Sequence, residues 1–174
     1  YLFDYCQNLE FFSQNPDFSE GSSSESLSTR LFKARLVVIA ELDMKLRQSL
    51  NAAESAAAYD GRLNETQFRE ELAGFLHQHV VAMNLDNFVV RPQRKSVEKF
   101  AQSETWQKLG SDDFTELAKN LAGLPSELVD EDEEAKRFDM LVLRTQLAIL
   151  QARPEFAGLR EKMQAIASAL EEQD

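Results

Sequence analysis

The chain has 174 residues, of which 43% are hydrophobic, and it carries a formal net charge of −11. This length fits one buried core, so no second full domain is expected, and apolar runs too short to cross a bilayer exclude a membrane span. With Cys6 as its single cysteine, the chain has no internal disulfide or cysteine cluster, which fits a reducing cytoplasm.

The first residues are apolar and aromatic from the outset, reading Tyr-Leu-Phe-Asp-Tyr-Cys-Gln-Asn-Leu-Glu-Phe-Phe. Such a run is typical of the end of a buried strand and the turn after it. We therefore expect residues 1–14 to be the tail of a preceding domain in a longer protein. Residues 15–28 are rich in Ser, Gly and Pro and have no periodic apolar face, which predicts a flexible linker. Residues 29–174 are expected to form a helical domain.

A long amphipathic helix is predicted directly after the linker. Apolar residues over 31–50 recur mostly at steps of three and four, and Ser28 or Thr29 is available as the N-cap. The Ala-rich stretch 52–59 extends this helix until Asp60-Gly61 ends it, since Gly readily adopts the left-handed conformation.

A second long helix is predicted to begin at Asn64, which forms a capping box with Gln67. Its apolar stripe consists of Phe68, Leu72, Phe75, Leu76, Val80 and Met83. The short connection to the first helix predicts an antiparallel pair. Residues 88–92 then interrupt the helical pattern with Val-Val and Pro, which predicts an extended crossing segment.

The second half of the chain is predicted to be helical as well. Short helices are expected over about 93–101, over 104–109 behind Ser103 and over 112–121 behind Ser111. A longer helix opens within the acidic run 130–134 and ends before Pro154; its predicted face is Phe138, Leu141, Val142, Thr145 and Ile149, with Leu143, Leu147 and Leu150 alongside. A final helix over 155–171 carries the stripe Phe156, Leu159, Met163, Ile166 and Leu170.

The predicted fold class is therefore all-α, an irregular multi-helix bundle of about six to seven helices with a short extended N-terminal segment. The helix over 136–152 has more apolar residues than one partner helix needs. Its surplus face is a hypothesis for an interface with other domains or with another subunit.

No residue pattern predicts catalysis or a metal. The five consecutive acids Asp130 to Glu134 cannot converge on one ion, because successive helical residues diverge by about 100°, and the helix dipole favours acids in a first turn. Glu134-Ala135-Lys136 matches the Glu-x-Lys part of a restriction-nuclease motif, but it lies on a predicted helix, which that motif does not use. His77 and His79 are two residues apart on a helix and point to different sides.

The chain is basic only over residues 84–109, with five Lys and Arg against three Asp and Glu. There the basic residues Arg91, Arg94, Lys95, Lys99 and Lys108 are interleaved with the aromatic residues Phe88, Phe100 and Trp106. Such a group can hold a phosphate backbone or a stacked base, which predicts possible DNA-phosphate contacts at Arg91, Arg94, Lys95 and Lys99. The alternative is a solvated helix face with Phe100 and Trp106 as core anchors.

Three segments together resemble a known family: Leu-Phe-Asp-Tyr-Cys-Gln-Asn-Leu-Glu-Phe-Phe at 2–12, Asn-Phe-Val-Val-Arg-Pro at 87–92, and Phe-Asp-Met-Leu-Val-Leu-Arg at 138–144. They resemble the C-terminal part of the helicase-like R subunit of type I restriction enzymes and related DEAD/DEAH-type proteins. The resemblance runs over nearly the whole chain. It implies that residues 1–14 are the tail of the second RecA-like motor lobe and that a helical domain follows.

The resemblance further implies a cytoplasmic ATP-driven DNA translocase that uses ATP and Mg and cuts foreign DNA together with methyltransferase and specificity subunits. None of the family's catalytic motifs has a counterpart in residues 1–174. The chain itself is therefore expected to be non-catalytic and without a cofactor. Its expected role is a helical C-terminal interaction domain that docks the motor onto the methyltransferase and specificity subunits. The alternative is a helical DNA-contacting module of a related helicase.

Overall fold

A computed structural model describes residues 25–50, 56–128 and 132–171, and within these ranges the chain forms six α-helices and no strand. The helices are α1 (Leu27–Leu50), α2 (Ala56–Val81), α3 (Arg94–Phe100), α4 (Ser111–Glu116), α5 (Glu133–Leu150) and α6 (Phe156–Glu171). The predicted all-α class is confirmed. The predicted tail 1–14 with Cys6, and the linker as far as residue 24, lie outside the described residues.

Helix α1 is the centre of the bundle. Its residues from Leu36 to Leu42 are all buried, including Glu41, because α2 and α5 both pack against it. The pairing of Asp43 with Arg69 and of Phe32 with His79 shows that α2 runs antiparallel to α1, as predicted. No helix among the described residues has the length and apolar content needed to cross a membrane.

The ends of α1 and α2 differ from the predicted ones. Helix α1 begins at Leu27, before the predicted N-cap at Ser28 or Thr29, and both of these residues lie inside the helix. Ser26 Oγ accepts the backbone N–H of Thr29 at 3.1 Å. Helix α2 begins at Ala56 and continues through Asp60-Gly61, so the predicted break there is wrong. A glycine inside a helix costs only about 1 kcal/mol relative to alanine, which the packing of α2 on α1 outweighs.

The capping box predicted at Asn64 is also wrong, because Asn64 lies within α2 and needs no cap. Gln67, its predicted partner, instead donates from Nε2 to Glu71 Oε1 at 2.9 Å, one turn further along the same helix. The predicted start of the second helix is therefore eight residues too late, because Asn64, a residue type that often caps helices, lies inside this one.

The segment between α2 and α3 is not extended, contrary to the prediction. Residues 82–90 form turns, and Arg91–Gln93 form a single 3-10 turn. Two asparagine side chains explain this, since Asn84 Oδ1 and Asn87 Oδ1 accept backbone N–H groups two residues later, each at 2.9 Å. Pro92 fits the first turn of the 3-10 helix, where its missing N–H is not needed.

The short helices lie close to their predicted spans. Helix α3 is followed by a 3-10 turn at Ser103–Gln107, and α4 continues into a π-helical turn at Leu117–Leu121. The N-cap positions are Gln102 and Gly110 rather than Ser103 and Ser111. At Gly110 the backbone N–H donates to Asp113 Oδ2 at 2.8 Å. This part of the chain supplies the core residues Val97, Phe100, Trp106, Leu109, Phe114, Leu117 and Leu121.

Helix α5 begins at the predicted acidic run, and only part of its predicted face is buried: Thr145 is buried, and Leu143, Leu147 and Leu150 belong to the core or pack against it. Asp132 is its N-cap and accepts the N–H groups of Glu134 and Ala135, both at 2.8 Å. The buried residues are Lys136, Met140, Leu143, Thr145 and Ala148, whereas Phe138 and Ile149 of the predicted face are 46% and 56% exposed. Two polar contacts link this face to α1: Arg35 Nη2 donates to Asp139 Oδ2 at 2.6 Å, and Gln151 Nε2 donates to Glu41.

Helix α6 packs chiefly on α5. Leu159 is buried, Phe156 and Met163 are half-buried and Ile166 is 38% exposed, so the predicted stripe is only partly covered. Leu170, the last residue of that stripe, lies outside the described side chains. The turn between the two helices places Ala152 at a φ of 50°, in the left-handed region.

Candidate functional site

The four predicted phosphate-contact residues lie on the 3-10 turn before α3 and on α3 itself, and all four are exposed. Arg91 Nη2 donates to the backbone oxygen of Asp86 at 3.3 Å. Arg94 Nε pairs with Glu98 Oε1 at 2.7 Å, and Lys99 Nζ lies between Asp113 Oδ1 at 2.8 Å and Glu116 Oε2 at 2.7 Å. Two of the four cations are thus matched by carboxylates of the chain itself.

The electrostatics of this group follow from these pairs. The hydrogen bond from Arg94 to Glu98 and the charge of Glu98 raise the pKa of the Arg94 guanidinium. Although partial burial acts against it, the carboxylates of Asp113 and Glu116 raise the pKa of Lys99. Hydrogen bonds from Lys99 and Ser96 lower the pKa of Glu116. The charges at Lys99 therefore join α3 to α4, and the local positive field is smaller than the sequence indicates. Phosphate contact at the four residues stays a prediction.

The aromatic residues of the basic stretch divide into two kinds. Phe100 and Trp106 are 0% and 3% exposed, and Trp106 Nε1 donates to the backbone oxygen of Phe100 at 2.8 Å. These two are core anchors, as the alternative interpretation held. Phe88 is 82% exposed, a larger fraction than for any other large apolar side chain that the structure describes. It is therefore available for contact with another molecule.

The two histidines have packing roles. His77 Nε2 is 2.9 Å from the backbone oxygen of Ala101, and its ring meets the edge of Trp106. His79 packs edge-on against Phe32, with ring centroids 5.5 Å apart. Asp130 and Glu131 of the acidic run lie outside the described residues, and among those described no group of three or more His, Cys, Asp or Glu could hold a metal ion.

Two cavities border the α1–α2 pair. One, of about 540 Å³, lies between the start of α1, the end of α2 and the turn before α5. Its buried cations are engaged, since Arg35 stacks on Phe75 at 3.9 Å and donates to Asp139, and Lys136 Nζ is 3.2 Å from Glu133 Oε1. The other, of about 590 Å³, is lined by Arg69 and Asp43, which pair with each other. Arg35 thus joins α1 to α5, and Arg69 joins α2 to α1.

An apolar stripe on α5 forms a second exposed surface. Phe138, Leu141, Val142 and Ile149 lie on one side of the helix, because positions three, four and eleven residues apart fall on the same face. We call these four residues the α5 stripe. Its two ends, Phe138 and Ile149, are 46% and 56% exposed, while Leu141 and Val142 are half-buried. Ile166 on the adjacent α6 is 38% exposed.

Comparison of the chain with protein-family models, with curated proteins and with solved structures found no match. The surfaces must therefore be interpreted from their own chemistry. Sequence reasoning placed the α5 stripe on the core side, and it missed the exposure of Phe88. The signal that could have found the latter is the pair of asparagines at 84 and 87, which are typical of turns.

Proposed function

We propose that the chain is a non-catalytic helical interaction domain of an ATP-dependent DNA translocase resembling the R subunit of type I restriction enzymes. In this proposal it docks the motor onto methyltransferase and specificity subunits in the cytoplasm. ATP and Mg belong to the motor, and this chain supplies neither catalysis nor a cofactor site. The resemblance of the segments 2–12, 87–92 and 138–144 supports the family, and the α5 stripe supports the docking role.

The observation that carries the docking role is the exposure of the α5 stripe. An isolated exposed apolar residue needs no explanation, but a stripe with both ends exposed is typical of a surface that a partner covers. Fully burying a large apolar side chain contributes about 1.5–3 kcal/mol. Since Phe138, Ile149 and Ile166 are about half exposed, covering all three would contribute about 3 kcal/mol to binding, or on the order of 100-fold in Kd.

The test is binding of the 174-residue chain to a purified methyltransferase–specificity complex, measured by calorimetry in the absence of DNA. We expect Phe138→Ser and Ile149→Ser each to weaken binding by about tenfold. Val81→Ser is the matched control, because Val81 is 55% exposed and Ile149 is 56% exposed but Val81 lies at the end of α2. Failure of the unaltered chain to bind, or equal losses from Ile149→Ser and Val81→Ser, would contradict the proposal.

A second candidate function is a helical DNA-contacting module of a related helicase. The observation that favours it is the exposure of Arg91 and Lys95, with no ion-pair partner for Lys95 among the residues described. Binding to duplex DNA would then weaken steeply with salt, with a slope in log K of about −0.9 for each phosphate contacted. Lys95→Glu should reduce that slope, and salt-independent binding or none would rule this function out.

A further inference from the structure

The loop between α2 and α3 exposes two adjacent apolar side chains at its tip. Phe88 is 82% exposed and Val89 is 42% exposed, and we call this pair the Phe88 knob. The next residue, Val90, is 0% exposed and belongs to the core. The knob therefore projects from a point at which the backbone is anchored in the bundle.

Side-chain and backbone hydrogen bonds fix the shape of this loop. Asn87 Oδ1 accepts the N–H of Val89 at 2.9 Å, and the backbone oxygen of Asn87 accepts the N–H groups of Val90 and Arg91 at 3.1 and 2.9 Å. Asn84 Oδ1 accepts the N–H of Asp86 at 2.9 Å. Each backbone group held in this way restricts the directions in which Phe88 can point.

The loop is also joined to the neighbouring turn. Asn84 Nδ2 donates to Glu127 Oε1 at 2.8 Å, and the backbone N–H of Glu127 donates to the oxygen of Ala82 at 2.8 Å. Leu85 packs against the core from the same loop. The loop that carries the knob is thus ordered before binding. Binding therefore costs less conformational entropy than it would if the loop had to become ordered on contact with the partner.

The charges near the knob indicate the chemistry of the partner. Two cations, Arg91 and Lys95, and one acid, Asp86, are exposed close to it in sequence, so the surroundings of the knob are slightly positive on a chain whose net charge is −11. Cations of this kind complement carboxylates at the rim of a binding site. A nucleic acid fits less well, because Arg94 and Lys99 are already paired with Glu98, Asp113 and Glu116, and because the aliphatic Val89 offers no face for base stacking.

We infer that the Phe88 knob inserts into an apolar pocket, bordered by carboxylates, on the protein to which this chain docks. This inference rests on the proposed docking function and adds a second point of attachment to the α5 stripe. The aromatic ring supplies the buried anchor, and Arg91 and Lys95 match the charge of the pocket's rim. Interfaces commonly depend on a few such anchors, with Phe, Tyr, Trp and Arg enriched among them.

The test uses the purified methyltransferase–specificity complex as the probe and the full chain with single substitutions. Phe88→Ser should weaken binding by about tenfold or more, as expected for an aromatic anchor. The melting temperature of the chain should not change, because the Phe88 side chain is already exposed. Lys95→Glu should weaken binding and reduce its salt dependence. Val81→Ser, a change at another exposed apolar residue near the same end of α2, should leave the affinity unchanged.

The presentation of the knob is tested separately at Asn87. Asn87→Ala removes the acceptor for the N–H of Val89 and should weaken binding with a more unfavourable entropy, although Phe88 itself is intact. Asn87→Ser retains an oxygen acceptor without adding charge and should recover part of the affinity.

Each outcome of these binding measurements either supports or overturns the inference. If the unaltered chain binds and Phe88→Ser binds equally well, the inference is overturned and the docking function stands. If the unaltered chain does not bind the complex, the docking function fails and the inference fails with it. If Phe88→Ser and Lys95→Glu instead weaken binding to duplex DNA and leave the protein complex unaffected, the knob is a nucleic-acid contact and the inference is overturned.

Discussion

Substitution of Arg69 by alanine should destabilise the bundle more than any surface change. Arg69 on α2 donates from Nε to Asp43 Oδ1 at 2.9 Å and from Nη2 to Asp43 Oδ2 at 3.3 Å, so the pair is bidentate. Its Nη1 donates to the backbone oxygen of Trp106. The side chains of Arg69 and Asp43 are only 8% and 14% exposed. One guanidinium therefore joins α1, α2 and the 3-10 turn that carries Trp106.

The size of the loss in stability follows from the groups that Arg69→Ala leaves without a partner. Arg69→Ala leaves the carboxylate of Asp43 largely buried without its partner and removes a donor from the Trp106 carbonyl. Breaking a buried ion pair by removing one member costs about 3–5 kcal/mol. For a chain of this length each kcal/mol lowers the melting temperature by about 2–4 °C, so a decrease of about 10 °C is expected.

Urea unfolding followed by circular dichroism measures the free energy of unfolding. The double variant Arg69→Ala with Asp43→Ala should be more stable than the sum of the single effects predicts, by about 1–3 kcal/mol, because it removes both charges. Arg94→Ala is the matched control: Arg94 and Glu98 form an i,i+4 pair with side chains 60% and 51% exposed. Its expected cost is much smaller, because water and salt screen an exposed ion pair. If Arg69→Ala cost no more than Arg94→Ala, the structural role given to the buried pair would be refuted.

Three further predictions concern the helices and their charges. A methyl group at Gly74 in α2 would meet no atom within 4 Å, so Gly74→Ala should raise the free energy of unfolding in urea by about 0.5–1 kcal/mol. Ala152 has a φ of 50°, so Ala152→Gly should also stabilise the chain, by about 1 kcal/mol, and an unchanged melting temperature would contradict the strain assigned to it. Because the pKa of Glu116 is lowered in the folded state, its stabilising effect is present above the unfolded pKa and lost as the pH falls through the folded pKa. Glu116→Gln should therefore be less stable than the unaltered chain at about pH 7, and the difference should shrink as the pH falls below the ordinary carboxyl range, whereas a constant difference would exclude the ionic role.

The sequence predicts helices well where an apolar stripe is buried by one neighbour. The antiparallel α1–α2 pair and the spans of the short helices follow from three- and four-residue steps and turn residues. The end of α1 and the choice of the buried face of α5 do not follow from such patterns. Gly61 lies in a helix because the preference of glycine against helix is only weak. Helix α5 is linked to α1 by the bond between Arg35 and Asp139, which are 104 positions apart in sequence. Local patterns contain no information about such a contact.

The same distinction applies to the interaction surfaces. The exposure of Arg91, Arg94, Lys95 and Lys99 agrees with their charge, but the pairing of Lys99 with Glu116 joins two helices and depends on the fold. Residues 88–90 look like a strand by composition, yet Asx turns leave only Val90 in the core. The α5 stripe has the periodicity of a core face, and only the fold shows that its two ends, Phe138 and Ile149, are exposed.

The limited packing of α6 affects how the bundle would open. Only Leu159 is buried among the α6 side chains described, and a helix of 16 residues is marginal in water by itself. Separation of α6 from α5 therefore needs less free energy than global unfolding, and amide hydrogens in α6 would exchange with solvent long before those in α1.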